Sequence, residues 1–439
     1  MQRRKQQRRG HSPGKEDLTA AGRSRVGPIE SPLRLLILSI QFAPEVTSNA
    51  AVITGLARAL AARGHQVTVL AGTPHYRLPH VPAGYLFRPF RRESRGGVKI
   101  VRCWAFPKSD GKVSKLLNYV SFTLTSSLAS LFTARPGAVL VVSPPFWLGC
   151  NALLLKALRR CPVIYDAQDL FPEAYLASGE MRAGRLTRAM SCLMTRIYRH
   201  CDRIIVITGS FADAIAAKGI DPRKIVSIPN FVDTSAIAPL PRTNSFSRRW
   251  GLDNKFVVMY AGNIGYTHGT ELLVEAAEKL AALENLQFLV IGGGSKQADL
   301  GRLARERRLA NMQFLPTQPS ELLPEMLASA DVLVLTTKPG GGRTSFPSRI
   351  YSFLLAARPV VASVDSDSDL ARMLDEADAG IVTEPGNVEA FCRALETLYH
   401  NASTRGRLAR KGIEFLKHHY SPHTVVEQHE ELLKALVGR

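Results

Sequence analysis

The sequence predicts an α/β protein built from two doubly wound domains, and three observations carry that prediction. Short runs rich in Val, Ile and Leu recur along the chain without polar alternation, as strands buried on both faces do. Stretches of helical periodicity separate them, so successive runs read as βαβ units with parallel strands and right-handed crossovers. The 439 residues amount to two or three domains at roughly 150 residues each, and the alternation pauses once, near the middle.

In order, the first half places strands at residues 33–40, 66–71, 98–103, 138–142, 163–165, 203–207 and 224–228. Between the first two, Ile53, Leu56, Ala57 and Leu60 follow helical spacing over residues 50–63, with Ser48 or Asn49 as the cap and Gly64 as the stop. Residues 236–250 (AIAPLPRTNSFSRRW) hold two prolines and no apolar periodicity, which marks a linker. Strands resume at 256–261, 286–291, 312–315, 332–336, 359–363 and 380–383, and residues 404–436 read as helical. The expected division is a basic tail (1–30), a first Rossmann-like domain (33–235), the linker (236–250), a second Rossmann-like domain (251–415) and a C-terminal helix (416–439) packing back toward the first. In such sheets ligands bind beyond the carboxyl ends of the strands.

Composition narrows the function. With 45% hydrophobic and 21% charged residues, wholesale disorder and a polytopic membrane protein are excluded. The net charge of +20 is uneven: residues 1–250 carry 37 Lys+Arg against 14 Asp+Glu, and residues 251–439 carry 20 against 23. A basic first half suits an anionic membrane surface or nucleic acid. No RNP, zinc or helix-turn-helix pattern accompanies it, so nucleic acid is not the expected partner. The first 30 residues, with Arg3, Arg4, Lys5, Arg8 and Arg9, read as a disordered tail and not as a secretory signal. None of the six cysteines forms a C-x-x-C pair, so reduced thiols and a cytoplasmic setting are the plain reading. Residues 116–134 are uncharged, but eight of the 19 are Ser, Thr or Asn, which favours an interfacial amphipathic helix over a span.

Several segments carry candidate chemistry. The turn after the first strand, QFAPEVTSNA, lacks G-x-G-x-x-G and argues against a dinucleotide-dependent oxidoreductase. Gly292-Gly293-Gly294-Ser295-Lys296 follows a strand, where backbone N–H groups can approach a phosphate or merely make a tight turn. In KPGGGRTSFPSRIY, three glycines precede Arg343, and Ser345, Phe346, Pro347, Ser348 and Arg349 open a helix whose start suits a diphosphate. A cation at that positive end is locally unfavourable, so Arg349 reads as a binding residue whose removal leaves the fold intact. Asp166, Asp169 and Glu173 lie in YDAQDLFPE at a strand end, as a base, hydroxyl ligands or helix caps. Asp365, Asp367 and Asp369 invite a divalent metal, but acidic residues also favour the start of the following helix, and that reading is preferred.

Together these stretches resemble family 4 glycosyltransferases of the GT-B fold, within the capsule, O-antigen and colanic-acid subgroup. The resemblance rests on QFAPE, LAARGHQVTVLAG, TPHYRLPHVPAGY, SPPFW, QDLFPE, CDRIIVITGSFADAI, KIVSIPNFVDT, GNIGYTHG, VIGGGS, ADVLVL and FPSRIYSFLLAARPVVAS, in that order. The chain departs from the family at Thr344 and Ser352, where two glutamates stand, and at Asn263 and His268, where a basic pair stands. Gln168 replaces a histidine often seen there.

The resemblance implies transfer of a sugar, with retention and without a metal, to a polyprenyl-linked or saccharide acceptor, on the cytoplasmic face of the inner membrane. The UDP- or GDP-sugar is a co-substrate, and no cofactor is implied. Donor binding would fall to Asn263, Gly265, Gly293, Lys296, Thr317, Arg343, Ser345, Phe346, Pro347, Ser348, Arg349 and Ser352, and catalysis to Asp169, Glu173 and His75. The alternatives are a nucleotide-sugar epimerase and a non-catalytic GT-B scaffold.

Overall fold

The computed structural model describes residues 32–45, 47–74, 85, 88–107, 112–177, 181–232, 237–342 and 346–438. The basic tail, His75, Arg343, Thr344 and Ser345 lie outside the described residues.

The first sheet holds β1 (Arg34–Ser39), β2 (Gln66–Gly72), β3 (Phe90–Arg95), β4 (Val98–Cys103), β5 (Ala138–Val142), β6 (Val163–Ala167), β7 (Arg203–Val206) and β8 (Ile225–Ser227). Their order is β3-β4-β2-β1-β5-β6-β7-β8, parallel except for the antiparallel β3–β4 pair. The second sheet holds β9 (Phe256–Ala261), β10 (Leu286–Ile291), β11 (Met312–Leu315), β12 (Val332–Thr336), β13 (Val360–Ser363) and β14 (Gly380–Thr383). It is parallel throughout, in the order β11-β10-β9-β12-β13-β14. Chain direction across each sheet reverses once, between β1 and β5 and between β9 and β12. Those two switch points are where a doubly wound sheet opens a crevice.

The continuous apolar runs became strands because helices cover both faces. β5 and β12 are buried along their whole length. β3 was not foreseen: FRRESR is a charged edge strand, and charge on an edge keeps it from pairing with other chains. The helix Ser48–Ala62 is capped by Thr47, whose Oγ1 accepts from the Ala50 N–H at 3.1 Å, and not by Ser48 or Asn49. Residues 237–250 are no free linker. Ile237 and Phe246 enter the second domain's core, and Asn244 caps a short helix, Ser245–Arg249: its Oδ1 accepts from the Ser247 N–H at 3.1 Å and its own N–H donates to Ser247 Oγ at 2.9 Å.

The C-terminal region is two helices, not one. Ala402–His419 lies on the second domain, with Leu416 in its core. Ser421 caps a new start, and Pro422 opens Pro422–Val437. That last helix buries Val425, Val426, Leu433 and Leu436 in the core under the first sheet. Its Glu430 meets Arg63 at 2.6 Å, Lys434 at 2.6 Å and His65 Nε2 at 3.4 Å. Burial opposes ionisation there, but hydrogen bonds from Lys434 and Arg63 prevail and hold the carboxyl at about 2.

This cluster makes a pH-dependent prediction. A carboxyl depressed in the folded state contributes stability above its unfolded pKa and loses it as pH falls toward the folded value. Glu430→Gln should therefore destabilise by about 2–3 kcal/mol at pH 7. The gap in melting temperature between wild type and variant should narrow from pH 5 downward. A gap that is constant from pH 7 to 3 would show that the ion cluster contributes nothing.

Candidate functional site

A cavity of about 520 Å³ opens at the β9/β12 switch point. Ala261, Gly262 and Asn263 leave β9, Gly292 and Gly293 leave β10, and Thr317 and Gln318 follow β11. Leu323, Met326 and Leu327 form an apolar wall, and Arg349, Ser352 and Phe353 come from the helix Arg349–Leu355. Glycine is required where the β9 and β10 turns meet. A Cβ on Gly292 (φ +146°) would sit 1.9 Å from the Gly262 carbonyl oxygen. A Cβ on Gly262 (φ +149°) would sit 2.0 Å from Arg349 Nη1.

Arg349 occupies the space that Gly262 leaves. Its Nη1 donates to the Ala261 carbonyl at 3.1 Å, and its guanidinium carbon lies 5.0 Å from the Tyr260 ring centroid. Tyr260 in turn donates to the Asn263 carbonyl at 2.6 Å, which fixes the turn. Arg349 is the one formally charged side chain among the described residues lining the cavity. Half-buried His268 sits beside it, and burial, then the Arg349 charge, lower its pKa. At neutral pH His268 is therefore an uncharged donor or acceptor. The Gly262 N–H donates to the Ile291 carbonyl at 2.9 Å and the Gly292 N–H to the Leu315 carbonyl at 3.2 Å, so of the lining glycines it is Gly293 that can turn its N–H to a ligand. A cation at the floor and an apolar wall together suit an anion joined to a flat organic group.

The structure brings Asn263, Gly293, Thr317, Arg349 and Ser352 together around this cavity, with Gly265 in the same β9 turn. Lys296 is not in the lining: it pairs with Asp299 at 3.0 Å and lies 4.7 Å from the Tyr266 ring. Phe346 packs on the second domain's core and against Tyr351, and Pro347 and Ser348 precede the helix without lining the cavity. That helix is only seven residues long, so its dipole is small and Arg349 supplies most of the positive potential. Arg349 also braces β9, so the binding residue read from the sequence is tied into the fold as well, and its removal is not expected to be free. The sequence missed Leu323, Met326, Leu327 and Phe353, whose apolar side chains read only as core.

On the first domain, Asp169 opens to the solvent in the loop after β6. The protein walls around it still raise its carboxyl to about 6, against the pull of Lys115. Buried Asp166 accepts from Gln168 Nε2 at 2.7 Å, and Gln168 Oε1 accepts from Asn230 at 2.7 Å. Glu173 forms an ion pair with Lys218 at 2.7 Å and does not stand free in the cleft.

Among the described residues no three His, Cys, Asp or Glu side chains converge as metal ligands. Asp365 accepts from the Gly340 and Gly342 N–H groups at 2.8 and 3.0 Å. Asp369 crosses between domains to accept from the Ser210 N–H at 3.2 Å and from its hydroxyl, and also pairs with Arg372 at 2.6 Å.

The foreseen amphipathic stretch is the helix Lys112–Leu131. Val113, Leu116, Leu117, Val120, Leu124 and Leu128 form one exposed stripe, continued by Phe132. Its polar residues are turned inward: Ser121, Thr123 and Ser127 each donate to the carbonyl four residues earlier at 2.7 Å. Leu154 and Leu158 of the neighbouring helix Leu148–Arg159 are also exposed.

Removing the cavity's cation tests the site. Arg349→Ala should weaken a nucleoside diphosphate by about tenfold to a hundredfold, the worth of one charge-assisted hydrogen bond. It should also cost about 1 kcal/mol of stability, because the Ala261 carbonyl loses its partner. Calorimetry with UDP and GDP, beside melting curves, measures both. Unchanged affinity would move the anion elsewhere.

Comparison with known proteins agrees with this geometry. Residues 50–230 match the family described as glycosyl transferase 4-like domain, and residues 243–415 match glycosyl transferases group 1. WcaI of Escherichia coli K12, named for colanic acid biosynthesis, is 26% identical over 387 residues, 85% of this chain and 95% of its own. Among solved structures, Anabaena HepE in complex with UDP and glucose superposes with a TM-score of 0.66 at 15% identity, covering 92% of this chain and 100% of that one. Sucrose-phosphate synthase of Thermosynechococcus elongatus gives 0.71 at 16%, covering 92% and 99%. Two facing Rossmann-like sheets are the GT-B architecture, and with both family matches spanning most of its length, the chain belongs to the group 1 glycosyltransferases.

Proposed function

We propose that the protein transfers a sugar from a UDP- or GDP-sugar to a lipid-linked or saccharide acceptor in bacterial surface polysaccharide biosynthesis, retaining the anomeric configuration and using no metal. The observation that carries this reading is the cavity at the β9/β12 switch point, with Arg349 fixed at its floor. Negative charge grows on the donor's diphosphate as the glycosidic bond breaks. Arg349, fixed by the Ala261 carbonyl, is preorganised to receive it, with the Gly293 N–H beside it. The nucleoside would lie against Leu323, Met326 and Leu327, and Ser352 would meet the ribose. The bacterial setting rests on the likeness to WcaI, whose name places it in colanic acid biosynthesis.

Asp169, at the carboxyl end of β6, faces the side from which an acceptor would enter. Its carboxylate would orient the acceptor hydroxyl, and the leaving diphosphate would take the proton. Glu173 would hold the loop through Lys218. The leucine stripe of Lys112–Leu131, on a basic domain, supports peripheral attachment to an anionic membrane. Among the described residues no helix is long and apolar enough to cross one.

Thermal-shift screening of nucleotide-sugars tests the reading, since selective stabilisation follows mass action. The donor identified should be turned over in EDTA, and its product should keep the donor's anomeric configuration by NMR. Activity lost in EDTA and restored by Mg²⁺ or Mn²⁺, or an inverted product, would refute the mechanism.

The Asp169 carboxyl adds a pH signature. Because its pKa is raised to about 6, the ionised form prevails above pH 6 and is lost below it. Transfer should decline on the acid side near pH 6, and Asp169→Asn should be slow at every pH without that limb. A limb kept in Asp169→Asn would assign it to another group.

A further inference from the structure

A second cavity, of about 330 Å³, lies in the first domain between the helices Lys112–Leu131 and Arg185–His200. Its walls are Leu116, Tyr119, Trp147, Tyr175, Leu186 and Met190. The volume is at the low end of ligand pockets, which run to about 300–1,000 Å³. The Trp147 indole N–H donates to Thr123 Oγ1 at 2.9 Å, which leaves its ring to line the groove. Tyr119 and Phe146 both pack edge-on to Trp147, and Phe146 continues through Phe171 to Tyr175. The floor is therefore a row of aromatic rings.

Two features say what fits there. At its lips Leu116 is 52% and Leu186 66% exposed, and Leu116 also belongs to the exposed leucine stripe. The groove is thus continuous with the surface proposed to meet the membrane. Beside the Leu116 lip, Lys115 also lines the groove, lies 4.9 Å from the Tyr175 ring and acts electrostatically on Asp169, so a cation stands between the groove and the acceptor side of the cleft.

We propose that this groove holds the hydrocarbon chain of the lipid acceptor, with the acceptor's phosphate at Lys115 and its sugar or terminal oxygen at Asp169. The inference rests on the reading of a lipid-linked acceptor and names the site where that lipid is recognised. An apolar chain with one anionic head matches an apolar groove with a single cation at its edge, and a water-soluble saccharide would leave the leucine lips wet. Met181 and Met190, unbranched and adaptable, let the walls close on a flexible chain.

The test titrates the full chain with dimethylallyl, geranyl and farnesyl phosphate, with farnesol and with inorganic phosphate, by calorimetry below their micellar concentrations. A buried methylene is worth about 0.8 kcal/mol, roughly fourfold in affinity. Affinity should therefore rise at least tenfold per isoprene unit, and inorganic phosphate should not bind measurably. Leu186→Glu should weaken farnesyl phosphate at least tenfold, whereas Leu128→Glu, on the stripe but outside the groove, should change it less than twofold. Lys115→Gln should close the gap between farnesyl phosphate and farnesol. Affinity independent of chain length, equal affinity in Leu186→Glu and wild type, or loss in Leu128→Glu alone would overturn the proposal. Nucleotide-sugar binding is measured on the same proteins. Its persistence without lipid binding defeats only the groove, and its absence defeats the functional reading beneath it.

Discussion

Everything at the donor side depends on one close approach of backbone to backbone. The turn after β10 lies against the turn after β9 because Gly292 has no side chain to meet the Gly262 carbonyl. The place left vacant at Gly262 is filled by the guanidinium of Arg349, held by the Ala261 carbonyl and the Tyr260 ring. An arginine fixed by packing and a hydrogen bond loses little freedom when an anion arrives, so its charge acts as a preorganised electrostatic contact. The helix Arg349–Leu355 has only two turns, so little of that work can fall to a helix dipole.

The two halves divide the physical tasks. The second domain is near neutral in charge, and among the described residues lining its cavity Arg349 is the one formally charged side chain. The first is strongly basic and carries an exposed apolar stripe, two properties that act together at an anionic membrane. Polar contacts help connect them. Asp369 of the second domain meets the start of the helix Gly209–Ala216, and the Val232 N–H donates to the Tyr420 carbonyl. The last helix then returns to the first sheet and is tied there by Glu430. Such small polar contacts suit domains that move relative to one another, with the last helix as the fixed strap.

Much of the fold was legible because buried parallel strands announce themselves as unbroken apolar runs. Residues 256–261, 286–291, 312–315 and 332–336 were placed as strands with the bounds the structure gives to β9, β10, β11 and β12. Edges and caps were less legible. β3 hides its pairing behind four charged residues, and Thr47 caps a helix one residue before the choices that its sequence offered. The site was half legible. Glycine turns and Arg349 carry a signal of their own, whereas Leu323, Met326 and Leu327 look like any core residues until the cavity beside them is seen. Lys296 was placed at the donor by its glycine loop, but it pairs with Asp299 three residues on, an i,i+3 partner that the helix start brings to it.

The central claim is that the β9 and β10 turns and Arg349 form the donor diphosphate site. Backbone hydrogen exchange of the full chain, with and without its stabilising nucleotide-sugar, tests it most directly. The account predicts slowed exchange at residues 262–265, 292–294 and 349–355, with the first-domain loop around Asp169 unchanged until an acceptor is added. Protection confined to first-domain loops, with none at the glycine turns, would contradict it.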